Sequence, residues 1–259
     1  MRYIGIIPAR YASTRFPGKP LADICGKSVI RRVYEQASQA LDIVVVATDD
    51  ERIYDAVEAF GGKVVMTRAN HRCGTDRCME AYQGITTPVW RAQNDKDTVI
   101  INIQGDEPFI QPEQIETLMA CFDTPETEIA TLVRPFTAED SLEDLETPNT
   151  PKVVWSQQTG EALLFSRSVI PYLRGIDRNE WLQHGRFFRH IGMYAYRADI
   201  LEQITQLPPS PAEQAESLEQ LRWLENGYRI RVGQTTVPTI GIDTPEDLQH
   251  AIEWYKYNG

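Results

Sequence analysis

The chain has 259 residues, 42% hydrophobic and 24% charged, a composition typical of a globular protein with one large or two small domains. Its net charge of -11 disfavours nucleic acid and anionic membranes as partners. The absence of a signal-like amino terminus or a long apolar run, and cysteine spacing that fits no disulfide framework or zinc site, indicate a cytoplasmic protein with reduced thiols.

Apolar runs alternate with amphipathic segments in the first half of the chain. The pattern predicts strands at 3–7, 43–48, 63–66 and 98–103, separated by helices at 27–40, 49–62 and 75–82. The helix at 49–62 opens with an Asp cap and closes on Gly61 and Gly62. This alternation predicts an α/β fold with a doubly wound, mostly parallel sheet.

The second half of the chain has a different pattern. An acidic stretch at 137–151 is interpreted as a surface excursion, and strands are predicted at 152–155, 161–167, 190–197 and 229–237. An apolar stripe predicts one helix over 211–227. We therefore expect a single domain over 1–259, with an inserted mixed α/β sub-region at roughly 137–237.

The loop after the first strand is basic and contains Arg10, Arg15 and Lys19 without any carboxylate. It lacks both the GxGxxG fingerprint and the GxxxxGK[ST] P-loop. Two guanidiniums and an ammonium can instead bind a triphosphate, and Gly18 allows close approach of the backbone. The alternative at this point is an ordinary solvated basic loop.

Two carboxylates follow other apolar runs. Asp106, next to Glu107, comes directly after the strand at 98–103, and Asp243 follows the apolar run "TTVPTIGI". Burying a carboxylate at a strand end is unfavourable without a compensating cation. Together with the basic loop, these aspartates indicate a site for a magnesium triphosphate. Asp243 can alternatively be an N-cap, because "DTPED" also resembles a capped helix start.

The ordered set "PARYASTRFPGKPL", "QGDEP", "RHIGMYAYR", "LEQLR" and "GIDTPEDL" resembles the CMP-Kdo synthetase family, the 3-deoxy-manno-octulosonate cytidylyltransferases. The match runs from position 6 to about position 248. The resemblance implies a Rossmann-like nucleotidyltransferase fold. It also implies transfer of CMP from CTP to the acidic octulosonate sugar Kdo, with release of pyrophosphate, for lipopolysaccharide synthesis. Relatives in the family are usually homodimers.

The resemblance also implies roles for individual residues. The catalytic set is Lys19, Asp106 and Asp243, and the two aspartates would bind Mg²⁺. The implied CTP-binding residues are Ala9, Arg10, Arg15, Lys19 and Gly74. The implied sugar-binding residues are Arg77, Gln104, His190, Glu219 and Gln220, with Arg77 facing the sugar carboxylate. By themselves, Arg77 could be a surface arginine, His190 a buried structural histidine, and Glu219 and Gln220 a solvated helix face.

Some positions depart from the family pattern. "CGTDR" stands where "SGTER" is more common, and Gln214 occupies a position that is often His. Activation of sialic acid or of 8-amino-Kdo therefore remains an alternative. A non-catalytic nucleotide-sugar sensor is a second alternative, disfavoured because all the charged residues are present. An NAD-dependent dehydrogenase would need the missing glycine fingerprint.

Overall fold

The structure is a computed structural model that describes residues 1–85 and 95–258. The strands in this part are β1 (Arg2–Ala9), β2 (Asp23–Ile24), β3 (Lys27–Ser28), β4 (Val44–Thr48), β5 (Val64–Met66), β6 (Thr98–Asn102), β7 (Ile129–Pro135), β8 (Lys152–Ser156), β9 (Glu161–Ser166), β10 (Phe188–Arg197) and β11 (Ile230–Gln234). The helices are α1 (Val29–Ala40), α2 (Glu51–Ala59), α3 (Gly74–Gly84), α4 (Pro112–Ala120), α5 (Leu142–Glu146), α6 (Trp181–His184), α7 (Ala198–Thr205), α8 (Pro211–Glu216), α9 (Glu219–Glu225) and α10 (Pro245–Asn258).

The chain divides into two compact units. The first comprises Met1–Glu116, Ala195–Thr205 and Thr239–Gly259, and the second comprises Thr117–Tyr194 and Gln206–Pro238. The sequence predicts one domain with a sub-region at roughly 137–237. The second unit overlaps that range but begins earlier, and residues 195–205 lie in the first unit. A single domain over 1–259 with an inserted sub-region stays a prediction.

The first unit contains a parallel sheet in the order β5-β4-β1-β6. Gly5 of β1 pairs with Val44 on one side, and Arg2 of β1 pairs with Thr98 on the other. Helices α1, α2 and α3 connect successive strands, as parallel pairing requires. The prediction of a doubly wound parallel sheet is confirmed. The strand order reverses between β1 and β6, where ligands bind in such sheets.

Local signals fix the predicted helices of this unit. Ser28 caps α1 by accepting a hydrogen bond from Arg31 N, and Asp50 caps α2 by accepting one from Arg52 N. Gly61, with a φ of 78°, follows the end of α2 in the left-handed conformation that glycine favours. All five residues of β4 are buried, as expected for a strand covered on both faces.

The second unit has mixed pairing. Strand β7 pairs in parallel with β11, whereas β9 is antiparallel to both β11 and β8. The four strands predicted in this half of the chain are confirmed as β8, β9, β10 and β11. The acidic stretch contains the short helix α5, whose Leu145 is fully buried against Trp181 and Phe187. The acidic stretch was predicted to be a surface excursion, but part of it forms a helix that contributes to the hydrophobic core.

The prediction of one helix over 211–227 is wrong. The chain forms α8 and α9, separated at Ser217, which has a φ of 52° and a ψ of 47°. Leu218, Leu221 and Trp223 are buried as the apolar stripe predicted, but Ala215 is exposed. The hydrophobic pattern identified the buried face of α9 and missed the left-handed residue that ends α8.

Substitutions at Ser217 distinguish a broken helix from a continuous one. At a left-handed position we expect Ser217→Gly to be more stable than Ser217→Ala by about 1 kcal/mol, because a Cβ is unfavourable there. In a continuous helix the order would reverse by a similar amount, since Gly is a poorer helix former than Ala. Urea unfolding of the two variants measures the sign of the difference.

None of the described helices has the length and apolar character needed to cross a bilayer. The four cysteines all carry free thiols, two of them buried.

Candidate active site

Three segments of the first unit meet at the carboxyl end of its parallel sheet. The basic loop follows β1, the "QGD" segment follows β6, and the segment before α10 adds the third side. A backbone hydrogen bond of 2.9 Å from Ile242 N to Asp106 O joins the last two segments. A cavity of about 310 Å³ lies among them, lined by residues that include Arg10, Arg15 and Gln104.

Lys19 lies between the two predicted metal-binding carboxylates. Its Nζ donates to Asp106 Oδ2 at 2.7 Å and to Asp243 Oδ1 at 3.2 Å. The lysine side chain is only 13% exposed, so these interactions are partly shielded from water. Two carboxylates that share one ammonium are close enough to share a metal cation.

Both arginines of the basic loop are held in place by other groups. Arg15 Nη2 lies 3.1 Å from Asp243 Oδ2, in a pair whose side chains are at least half exposed. Arg10 Nη2 donates to the backbone carbonyl of His71 at 2.7 Å. The loop that looked free of carboxylates in the sequence is therefore balanced by Asp106 and Asp243 from distant segments.

Glycines shape the turns that bring these groups together. Gly18 has a φ of 75°, and a Cβ there would lie 3.1 Å from the ring of Tyr11. That ring also stacks under the guanidinium of Arg52, at 3.3 Å from the ring centroid. A Cβ on Gly105 would lie 2.8 Å from the carbonyl oxygen of Pro8, so only glycine allows this approach.

The interpretation of Asp243 as the helix cap is wrong. Thr244 caps α10, because its Oγ1 accepts from Asp247 N at 3.2 Å. In return, Asp247 accepts hydrogen bonds from the backbone N–H groups of Thr244 and Asp243. This is a capping box, which the spacing of Thr244 and Asp247 could have predicted. The side chain of Asp243 is thereby left to bind Lys19 and Arg15.

The adjacent carboxylates Asp106 and Glu107 have different environments. Asp106 binds Lys19, whereas Glu107 Oε2 is buried without a hydrogen-bond partner in the described part of the chain. Burial, with a smaller contribution from the charge of Asp106, raises the pKa of Glu107 to about 7. The family resemblance selected Asp106 of these two neighbours, and Asp106 but not Glu107 lines the cavity.

Helix α3 begins near the end of β1. A Cβ on Gly74 would lie 3.4 Å from the Pro8 ring, so the start of the helix packs closely against the strand end. Arg77 on the same helix is fully buried. It donates to Thr67 Oγ1 at 2.5 Å and to Asp49 Oδ2 at 2.9 Å. Its guanidinium is thus paired with a carboxylate at the end of β4 and does not open into the cavity.

In the second unit, His190 lies among aromatic rings. Its ring centroid is 5.3 Å from that of Phe165 and 5.2 Å from that of Tyr194. Part of the residue reaches the surface, but burial of the ring lowers the pKa of His190 to about 3. His190 Nε2 lies 2.9 Å from Thr131 Oγ1, which in turn lies 2.8 Å from the carbonyl oxygen of Met193.

The other two predicted sugar residues of this unit lie at the start of α9. Glu219 accepts a hydrogen bond from Arg222 at 2.6 Å, one turn further along the helix. Gln220 is buried, and its Nε2 has no hydrogen-bond partner among the described residues. A buried amide without a partner is unfavourable unless a ligand or water supplies one.

The structure brings most of the predicted first-unit residues to one place. The cavity is lined by Ala9, Arg10, Arg15, Lys19, Gln104, Asp106 and Asp243. Gly74 packs against the end of β1, and Arg77 is paired elsewhere. Ser13 also lines the cavity. It was not predicted, although it belongs to the same loop.

The geometry around His190 predicts its protonation state. Thr131 Oγ1 lies 2.8 Å from the carbonyl oxygen of Met193 and 3.3 Å from that of Ile191, and a carbonyl can only accept. Because Thr131 has one hydroxyl proton, we expect it to donate to a carbonyl and to accept from His190 Nε2–H. We expect ring-nitrogen NMR to show a neutral His190, protonated at Nε2, from pH 8 down to about pH 4. Because the unfolded pKa of histidine is about 6.5, acidification below that value favours unfolding.

A His190 resonance with a midpoint near pH 6.5 would contradict this assignment. Thr131→Val is the matched control: it removes the acceptor with little change in volume and should change the tautomer.

Comparisons with known proteins identify the family. A cytidylyltransferase family profile matches residues 4–230. The chain is 61% identical over 253 residues to the 3-deoxy-manno-octulosonate cytidylyltransferase of Parabacteroides distasonis, covering 97% of each chain. It is 60% identical over 256 residues to that of Phocaeicola vulgatus, covering 99% of this chain and 98% of the relative.

A solved structure of CMP:2-keto-3-deoxy-manno-octonic acid synthetase, complexed with CTP, matches the chain with a TM-score of 0.87. The two are 42% identical, and each is covered completely. The resemblance inferred from the ordered motifs is confirmed, as is the Rossmann-like nucleotidyltransferase fold. The chain belongs to the cytidylyltransferase family, and its relatives there are 3-deoxy-manno-octulosonate cytidylyltransferases.

Proposed function

We propose that the chain transfers CMP from CTP to the anomeric hydroxyl of 3-deoxy-manno-octulosonate, with release of pyrophosphate. The observation that carries this proposal is the convergence of Lys19, Asp106 and Asp243 on one cavity at the end of the parallel sheet. The names of the relatives favour this sugar over sialic acid and 8-amino-Kdo. The product would serve lipopolysaccharide synthesis.

Asp106 and Asp243 are proposed to hold Mg²⁺. They fit this cation because both carboxylates lie within 3.2 Å of one atom, Lys19 Nζ, so they are close enough to contact a single metal ion. The described residues contain no group of three or more His, Cys, Asp or Glu side chains arranged to hold a metal. Two carboxylates suffice for magnesium, since phosphate oxygens and water complete its coordination. When bound, the metal lowers the pKa of the attacking hydroxyl and offsets charge on the α-phosphate.

The charged residues are proposed to exchange partners when the nucleotide binds. Arg15 and Lys19 are paired with the carboxylates in this structure. With the carboxylates engaged by a metal, both side chains would be free to contact phosphate oxygens of the nucleotide, alongside Arg10. The sugar hydroxyl oxygen would then form a bond to the α-phosphorus and lose its proton to water, while the bond from the α-phosphorus to the oxygen that bridges to the β-phosphate breaks. The basic side chains stabilise the charge on the departing pyrophosphate.

The sugar ligands are proposed for each unit by itself. In the first unit, Gln104 is at the cavity and can bind a hydroxyl group. Arg77 Nη2 is paired with Asp49, and Arg77 Nε is a buried donor without a partner among the described residues. In the second unit, the buried Nε2 of Gln220 is proposed to donate a hydrogen bond to a sugar hydroxyl. The Nδ1 atom of His190 is proposed to accept a hydrogen bond from a sugar hydroxyl, since its Nε2 faces Thr131. Glu219 is also proposed as a sugar ligand, although it pairs with Arg222 in this structure.

A homodimer in the cytoplasm is proposed for the working enzyme. The second unit exposes the large apolar side chains Leu163, Leu164 and Tyr172, which a second copy could cover. The four free thiols are compatible with a reducing compartment.

A substrate panel tests the proposed reaction. With CTP and magnesium, we expect pyrophosphate release with 3-deoxy-manno-octulosonate and much slower release with sialic acid. UTP, ATP and GTP should support little turnover with the same sugar. Activity with 8-amino-Kdo exceeding that with Kdo would move the substrate assignment to the amino sugar. Activity with none of the acid sugars would contradict the proposal.

The Asp243→Asn variant tests the proposed metal role. Thr244 supplies the cap, so the variant should melt near the parent temperature while turnover falls roughly 100-fold, because magnesium needs the negative charge. Metal-free CTP should bind a few-fold more tightly, since Arg15 and Lys19 lose a competing partner. Isothermal titration without magnesium measures that second effect.

Asp55→Asn is the control, because it removes the same charge from an exposed position on α2. We expect it to change neither turnover nor CTP binding. Normal turnover in Asp243→Asn would contradict the metal role, whatever its effect on metal-free binding.

A further inference from the structure

Arg10 contacts a segment of the first unit that has no role in the proposed reaction. Arg10 reaches the cavity from the loop after β1, and its Nη2 donates to the backbone carbonyl of His71 at 2.7 Å. A backbone carbonyl can hold a guanidinium in one place only if the peptide itself is fixed. The segment before α3, residues 67–73, must therefore be fixed for Arg10 to keep this position.

One carboxylate contacts this segment at two of its residues, including His71 itself. Glu80, on α3, accepts from the backbone N–H of Arg68 and from Arg68 Nε, each at 3.1 Å. The same carboxylate pairs with His71 Nε2. The His71 side chain is 7% exposed, so this contact is shielded, whereas the side chain of Arg68 is 72% exposed.

The protonation state of Glu80 agrees with this role. Burial by itself would raise the pKa of Glu80, but hydrogen bonds from Arg68 and His71 outweigh it and lower the pKa below the ordinary value. Glu80 is therefore an ionised carboxylate at neutral pH. It acts as an acceptor toward every group that it binds in this segment.

We propose that Glu80 is a positioning residue for CTP binding: through His71, it holds the carbonyl that orients Arg10 toward the triphosphate. The inference rests on the proposed role of Arg10 in binding the triphosphate. An arginine side chain has several rotatable bonds, and ordering it upon binding is entropically unfavourable. The series of contacts from Glu80 through His71 to Arg10 orders the guanidinium of Arg10 before the nucleotide binds. This preorganisation strengthens nucleotide binding.

A double-mutant cycle tests this chain of contacts, with the dissociation constant of magnesium CTP measured by calorimetry. We expect Glu80→Ala to weaken CTP binding about 10-fold and Arg10→Ala to weaken it more. The double variant should bind no more weakly than Arg10→Ala alone, because Glu80 acts only through Arg10. Arg68→Ala is the matched control: it removes the exposed partner of Glu80 and should change binding less than about twofold.

Two outcomes would overturn the inference. One is an additive effect in the double variant, which would mean that Glu80 stabilises the unit without acting through Arg10. The other is full CTP affinity in Glu80→Ala. If Glu80→Ala does not fold, Glu80→Gln serves in the same cycle, because it keeps the shape and removes the charge. A parent protein that does not bind CTP would instead refute the proposed function itself.

Discussion

The sharing of Lys19 between Asp106 and Asp243 is the interaction on which the site depends. Two carboxylates that both approach one ammonium repel each other unless a cation lies between them. The ammonium satisfies this requirement in the structure. The arrangement calls for a cation between the carboxylates, and in the proposed reaction a metal ion would take over this role from the ammonium.

The charged residues of this cavity were predictable because chain order and sheet topology place them. Arg10, Lys19 and Asp106 each follow a strand of a parallel sheet, and the carboxyl ends of such strands lie on one edge. Asp243 was harder to assign because it adjoins a helix start. The capping box formed by Thr244 and Asp247 decides the question, and its spacing is visible in the sequence.

Other features of the structure depend on contacts that no local pattern contains. The pairing of Arg77 with Asp49 joins residues 28 positions apart, and the contact of Arg10 with the His71 carbonyl joins residues 61 positions apart. The residues around Asp49 and His71 form no motif that would mark them as the partners of these arginines. The left-handed conformation of Ser217 is similarly hidden, since serine is not a residue that normally signals such a position. The hydrophobic pattern on both sides of it fits one helix.

The discontinuity of the first unit determines when the site can form. Lys19 and Asp106 lie in the amino-terminal segment, whereas Asp243 lies in 239–259, after the residues of the second unit. During synthesis on the ribosome, the first two residues are made well before the third. A nascent chain that has not yet reached Asp243 has one carboxylate for the Lys19 ammonium and lacks the second of the two carboxylates proposed to bind the metal. The enzyme is therefore expected to be inactive until residues 239–259 pack against the rest of the first unit. Contacts between residues that are far apart in sequence form slowly during folding.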